Sequence, residues 1–330
     1  MIVFEKISRF LRDNLENSIK DNWLFLNSMG AFNLSKADSL ELCRQLTRND
    51  FFEYPCWLQN DVIKMILEES GLENHFQSEQ LYCLALTEKK GGSSFQNVMT
   101  QVACNGDICT ARGTKIFISN GDIADHVIFL ARDCEQRLNL YISSDLSFIR
   151  RRKLNLITPL SHYDLAEMEF VDAQCRCLFR DNPLKGMFVL NKAMAIERMY
   201  CALTMLEMSR NLLELFARQY KARQHMLNEN SHWKYTYADM KKKVHMLDVY
   251  VSNMESKYIS GHAILPKDAA IAKSFATDTL KALLDNVMAL FGAQSIVEGN
   301  VLEKYDAYAK AFFNAGGTKE IMAEIIGADL

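Results

Sequence analysis

The hydrophobic period of this chain switches twice, and that switch bounds what it can fold into. Up to about residue 80, apolar residues recur at helical spacing: Leu40, Leu42, Cys43 and Leu46, then Val62, Ile63, Met65, Ile66 and Leu67. From residue 81, short runs rich in Val, Ile, Thr, Phe and Tyr take over: LYCLALT, NVMTQVAC, DICTARGTKIFIS, HVIFLARD, LNLYISS and YDLAEMEFV. The Asn-Gly in CNGD, residues 104–107, reads as a hairpin turn. Helical spacing returns near residue 184 and persists, predicting helices near 185–226, 231–261, 267–291 and 317–327. Pro266 suits the start of the third and Gly292 its stop, while Ser39 is expected to open the helix at Leu40, with Glu41 in its first turn. The reading is therefore α+β, mostly α: a helical domain over 1–80, an antiparallel β-domain over 81–183 and a four-helix bundle over 184–330. Only four prolines and fourteen glycines in 330 residues agree with long helices.

Composition removes several function classes. With 49% hydrophobic and 24% charged residues the chain is not a disordered one. A net charge of -3 gives no global attraction to nucleic acid or to a membrane surface. The nine cysteines are odd in number and form no CxxC pair, which argues against a zinc site and a disulfide framework and for a reducing cytoplasm. MIVFEKISRFLRDNLENSIKDN carries charges throughout, so neither a signal peptide nor a membrane span is expected and the expected location is cytoplasmic. His225, His232 and His245 lack an HxxxH or HExxH spacing, and no metal is expected.

One stretch poses a chemical question. Residues 192–208, KAMAIERMYCALTMLEM, read as a helix apolar almost all round, yet Glu197 and Arg198 interrupt it. A carboxylate taken out of water must be paired, hydrogen-bonded or functional, so the two are either a structural salt bridge or a poised acid and base. RRRK, residues 150–153, is the densest charge cluster, with Lys241, Lys242 and Lys243 as a second; each is a solvated surface or a docking patch for an acidic carrier protein or CoA phosphates.

Four motifs then occur in a telling order: LALTEKKGGSS at 84–94, KIFISNGDIAD at 115–125, IER at 196–198 and GGTKEI at 316–321. In order and spacing they resemble the acyl-CoA dehydrogenase family, over nearly the whole chain from about residue 35. The resemblance implies an FAD enzyme that oxidises the α,β carbons of an acyl thioester, a carboxylate taking the α proton and flavin N5 the β hydride. It implies a homodimer or homotetramer and an electron acceptor such as an electron-transfer flavoprotein. It places Thr87, Gly92 and Ser93 in a cofactor loop, Phe117 against the flavin and Ser119 near its N5 edge, and Arg223, Gly292, Thr318 and Glu320 among the cofactor-binding residues. Many family members carry the base immediately before the Gly-Thr of the last motif, where this chain has Gly316. A branch resembling the isovaleryl- and long-chain-type enzymes carries it on the long helix before the arginine, where this chain has Glu197. That makes Glu197 the candidate base and the Gly316 N–H a candidate thioester donor, with Met194, Arg198 and Met199 as candidate lining of the acyl site.

Other positions depart from the family pattern. Lys89 and Ser94 replace a Pro and an Asp, His225, Met226 and Leu227 replace a Thr-Phe-Gly, Ala289 a Gln, and Ala307 and Tyr308 an Arg-Asp. These mostly concern the adenine and pyrophosphate half of FAD. Three readings result: an acyl-CoA dehydrogenase; a flavoprotein oxidising an acyl or aminoacyl group tethered to a carrier protein; and a non-catalytic binding subunit.

Overall fold

The computed structural model describes residues 6–7, 9–10, 18–53, 59–77, 79–90, 92, 95–106, 108–161, 163–223 and 231–329. Among the described residues, α1 (Ile19–Ser28), α2 (Lys36–Arg48) and α3 (Gln59–Glu69) precede the sheet. Helix α2 starts four residues before the expected Leu40, because the Ser35 hydroxyl accepts the Asp38 N–H at 3.2 Å and caps it. Ser39 is buried inside that helix.

Seven strands follow: β1 (Tyr82–Ala85), β2 (Gln101–Asn105), β3 (Ile108–Ser119), β4 (His126–Arg132), β5 (Leu138–Ser143), β6 (Ile149–Lys153) and β7 (Leu165–Cys177). Most neighbours run antiparallel, but β1 runs parallel to β4, with Tyr82 opposite His126. Strands β2 and β3 form the hairpin expected at CNGD. Its register sets Cys104 opposite Cys109, and the two form a disulfide with their Cα atoms 4.0 Å apart. The expectation against disulfides is corrected at this pair, since cross-strand opposition, which cysteine spacing does not reveal, brings the thiols together. RRRK lies within β6: Arg150 and Arg152 face Glu169 and Glu167 of β7, while Arg151 and Lys153 donate to the Ala124 and Ser161 carbonyls. Each cation of the run thus has an acceptor within its own sheet and loops.

Helices complete the chain: α4 (Pro183–Arg223), α5 (Ser231–Ile259), α6 (Pro266–Phe291), α7 (Val301–Asn314) and α8 (Lys319–Ile326). Pro266 opens α6 and Gly292, at φ +61°, closes it, both as expected. Helix α7 lies in a stretch to which the sequence reading assigned no element. No helix among the described residues is long and apolar enough to cross a membrane.

The 41-residue α4 joins two cores. Its first turns, with Val189, Leu190, Ala193 and Met194, pack with α3 and strands β1, β4 and β5. From Ala195 and Met199 onward it packs with α2, α5, α6 and α7. Ile196 contacts both cores, so Glu197 and Arg198 stand at the junction between sheet and bundle.

Candidate active site

Three backbone features converge on that junction. The first is the segment after β1. Leu86 packs on the same core as Met194 and Ile196, and the carbonyl of Thr87 accepts the Ile116 N–H at 2.9 Å. A Cβ on Gly92 would come within 3.2 Å of the Thr87 methyl, so a glycine lets this loop close onto Thr87. Gly91, Ser93 and Ser94 lie outside the described residues, as do His225, Met226 and Leu227. Beneath the loop Lys115 is fully buried and donates to Glu88 at 2.7 Å and to the Leu86 carbonyl at 3.2 Å. Burial pushes the Lys115 ammonium down to about 8 against the pull of Glu88. Burial also raises Glu88, but its bonds from Lys115, Thr100 and the Met99 N–H outweigh that and hold it below the usual carboxylate range.

The second feature is a bulge in β3. Lys115 pairs with Met168 and Ile118 with Ala166, so three steps on β3 match two on β7. The extra residue is accommodated at Phe117, whose φ is +59° and whose ring is 59% exposed. Two residues on, the Ser119 hydroxyl lies 3.1 Å from the Tyr163 hydroxyl, and Tyr163 packs on the bundle core. Gly92 thus lies against Thr87, which is bonded to the residue before Phe117, and Ser119 follows two residues further along β3. An exposed aromatic ring held by a bulge next to a glycine-closed loop fits the ring end of a flavin.

The third feature is the turn between α7 and α8. Gly316 and Gly317 have φ of +68° and +107°, a conformation that glycine adopts without strain. Buried Arg198 donates from Nε to the Gly316 carbonyl at 2.8 Å. Lys273 of α6, also buried, donates to the carbonyls of Phe313 at 3.0 Å and Gly317 at 2.5 Å. Two buried cations therefore hold one turn, and Thr318 stands at the N-cap position of the helix after it without a side-chain capping bond, with Glu320 exposed in the first turn.

Glu197 behaves differently from its neighbour. It is half-buried, and among the described residues its carboxylate has no hydrogen bond and no ion pair. Burial raises its pKa, opposed by the charges of Arg198 and Lys273. A carboxylate kept partly out of water, near cations occupied elsewhere, retains its lone pairs for a proton. Met194 lies in the sheet-side core and Met199 in the bundle core, so the two flank Glu197 along α4. Arg223 is placed at the end of α6, where Nη1 donates to the Leu290 carbonyl two residues before Gly292, a cation at a helix C-terminus.

Sequence reasoning missed Lys273 and Tyr163. A signal for Lys273 existed: it shares helical spacing with Ala269, Ala270, Ala276 and Leu280, all buried, so a cation was set on an apolar face. Tyr163 offered none, because its partner Ser119 is brought near only by pairing of β3 with β7. Among the described residues no group of His, Cys, Asp and Glu could hold a metal ion.

Residues 83–172 match the acyl-CoA dehydrogenase middle domain and residues 185–330 the acyl-CoA dehydrogenase C-terminal domain. The chain belongs to the acyl-CoA dehydrogenase family. It is 25% identical over 301 residues to the mitochondrial long-chain specific acyl-CoA dehydrogenase of Sus scrofa, covering 83% of this chain and 68% of that one. It is 24% identical over 280 residues to the acyl-[acyl-carrier-protein] dehydrogenase MbtN of Mycobacterium sp., covering 82% and 70%. The acyl-CoA dehydrogenase of Geobacillus kaustophilus shares the fold with a TM-score of 0.88 at 20% identity, over 99% of this chain and 97% of that one. The acyl-CoA dehydrogenase fold expected from the motifs is the fold observed, and the family is one of FAD-dependent oxidoreductases acting on acyl thioesters.

Proposed function

We propose that this chain oxidises the α,β carbons of an acyl thioester with Glu197 as the base, in the arrangement of the isovaleryl- and long-chain-type branch. The observation that carries this is the contrast within one dipeptide: Arg198 is bound to the Gly316 carbonyl, whereas Glu197 has no partner among the described residues. The turn of Gly316 has no carboxylate of its own to offer.

FAD would be held by Thr87, Gly92, Ser93, Phe117 and Ser119 at its ring end, with Arg223, Gly292, Thr318 and Glu320 as further candidates. When bound, it supplies the hydride acceptor. The α proton of a thioester is weakly acidic, so its removal needs a base and a donor to the carbonyl oxygen that strengthens as negative charge grows there. Glu197 takes that proton on a carboxylate oxygen. The Gly316 N–H is the proposed donor, and the turn fixed by Arg198 is what holds it in place. Met194 and Met199 would line the acyl group with apolar, adaptable surface. An electron-transfer flavoprotein is the proposed acceptor that completes turnover, and a homodimer or homotetramer the proposed assembly.

Glu197→Gln, with its flavin content measured, is the direct test. Loss of the base is expected to lower turnover by about 10²–10⁴-fold with flavin still bound. Full turnover by a flavin-loaded variant would remove Glu197 from the role. A second reading, a carrier-protein-tethered acyl or aminoacyl substrate, is favoured by the likeness to an acyl-carrier-protein dehydrogenase. Anaerobic bleaching of the flavin by acyl-CoA esters supports the CoA substrate, whereas bleaching by acyl-carrier protein alone supports the second. A protein that cannot be loaded with FAD would leave the non-catalytic binding subunit.

A further inference from the structure

Lys273 is a buried ammonium with two jobs visible in its surroundings. Its Nζ donates to the carbonyls of Phe313 and Gly317, on either side of Gly316. Its charge also acts on Glu197, across from α6 to α4. A lysine on the apolar face of a helix loses hydration, and burial lowers its pKa accordingly. Capping explains the bond to Phe313, whose carbonyl is in the last turn of α7, while the bond to Gly317 fastens the turn beyond that helix. It does not explain why the charge stands near a half-buried carboxylate that lacks a bond of its own.

We propose that Lys273 is a positioning residue of the Glu197 site: it clasps the turn that carries Gly316 and sets a buried positive charge beside the carboxylate that must ionise. The proposal rests on the reading of Glu197 as the base. The charged and titratable groups acting on Glu197 are Arg198 from its own helix and Lys273 from α6, with the thiol of Cys201 one turn along α4. Burial pushes that thiol up to about 12, so it is neutral throughout the working range. Arg198 is committed to the Gly316 carbonyl and stays charged. The Gly316–Gly317 turn contributes backbone carbonyls. Lys273 thus shares with Arg198 a hold on the turn and an effect on the field at the carboxylate, and exerts both from a different helix.

The test uses the flavin-loaded protein and Lys273→Met, Lys273→Gln and Lys273→Arg, with kcat and KM followed against pH. Losing an opposite charge close to a carboxylate raises its pKa by about one unit or more. The acid limb of kcat is therefore expected to move up by about that amount in Lys273→Met, and kcat at neutral pH to fall more than KM rises. Lys273→Gln keeps N–H donors for the carbonyls but no charge, and is expected to move the limb as well; if the Met variant does not fold, this one carries the reading. Lys273→Arg is expected to hold the limb near its original pH. A lower Tm with the acid limb unmoved in the Met or Gln variant would overturn the proposal and leave an ordinary helix cap. A double-mutant cycle on unfolding gives an independent readout: the destabilisation by Lys273→Gln should be smaller in the Glu197→Gln background, and equal losses in both would also overturn it. If Glu197→Gln keeps full turnover, the base reading itself fails; if it is inactive while Lys273 variants keep their pH profile, only this inference fails.

Discussion

Glu197, which has no partner among the described residues, destabilises the folded chain when it is ionised, and the direction with pH follows from its raised pKa. Folded Glu197 holds its proton more tightly than the unfolded chain does, chiefly because burial penalises the charge. Its contribution is therefore most favourable below the unfolded carboxylate value of about 4.3 and is lost as pH rises through the raised folded value. Glu197→Gln removes the charge and keeps the shape, so its Tm should exceed that of the parent at pH 8 and the gap should close as pH is lowered toward 5. Thermal melts at both pH values check this, and a variant less stable than its parent at pH 8 would show that the carboxylate is satisfied after all. The sequence made this residue visible, because a charged pair in an apolar helix is conspicuous. It left the two roles unresolved, since the partner of Arg198 lies 118 residues away.

At the scale of elements, the strands were legible from their composition, yet the feature that shapes the proposed cofactor end of the sheet was not. KIFIS alternates like any strand, and nothing in it announces one residue too many. The bulge appears only when β3 is paired with β7, and it forces a phenylalanine to φ +59°. Holding a non-glycine residue there costs roughly 1–3 kcal/mol, against roughly 0.5–1 kcal/mol for the extra freedom glycine loses on folding. Phe117 is mostly exposed, so little buried area is forfeited by truncating it. Phe117→Gly should then be neutral or stabilising by about 1 kcal/mol in urea melts of the flavin-free protein, while its affinity for FAD falls. Unchanged FAD affinity in a direct titration would remove Phe117 from the cofactor site, and marked destabilisation would mean that the bulge depends on its ring. Register also hid the Cys104–Cys109 disulfide, whereas the helical spacing of α7, with Leu302, Tyr305, Tyr308, Ala309 and Phe312, was present in the sequence and was not assigned an element.

For the molecule as a whole, the apolar run that displays Glu197 contains a second carboxylate, and comparing the two separates structure from chemistry. Glu207 is fully buried and accepts from Arg44 at 2.6 Å and Arg48 at 2.8 Å, both on α2, and from Arg210 on its own helix. Arg44 also reaches Glu255, and Arg210 reaches Asp248 at 2.6 Å, both on α5. Three helices from distant parts of the chain are thus tied through one side chain, and both Glu207 oxygens accept from arginines. Removing a single member of a buried pair leaves its partners uncompensated and costs about 3–5 kcal/mol. Glu207→Gln is accordingly expected to lower the unfolding free energy by about that amount, with kcat per bound flavin and its pH profile unchanged under conditions where the variant is folded. Urea melts and rapid kinetics on one preparation check both halves. The expected pattern is the reverse of that for Glu197→Gln, which should lose turnover and gain stability at neutral pH. A Glu207→Gln protein as stable as its parent would show that the network adds nothing beyond the desolvation it must overcome. One that kept its stability and lost turnover would move the site up the helix, away from the Gly316 turn.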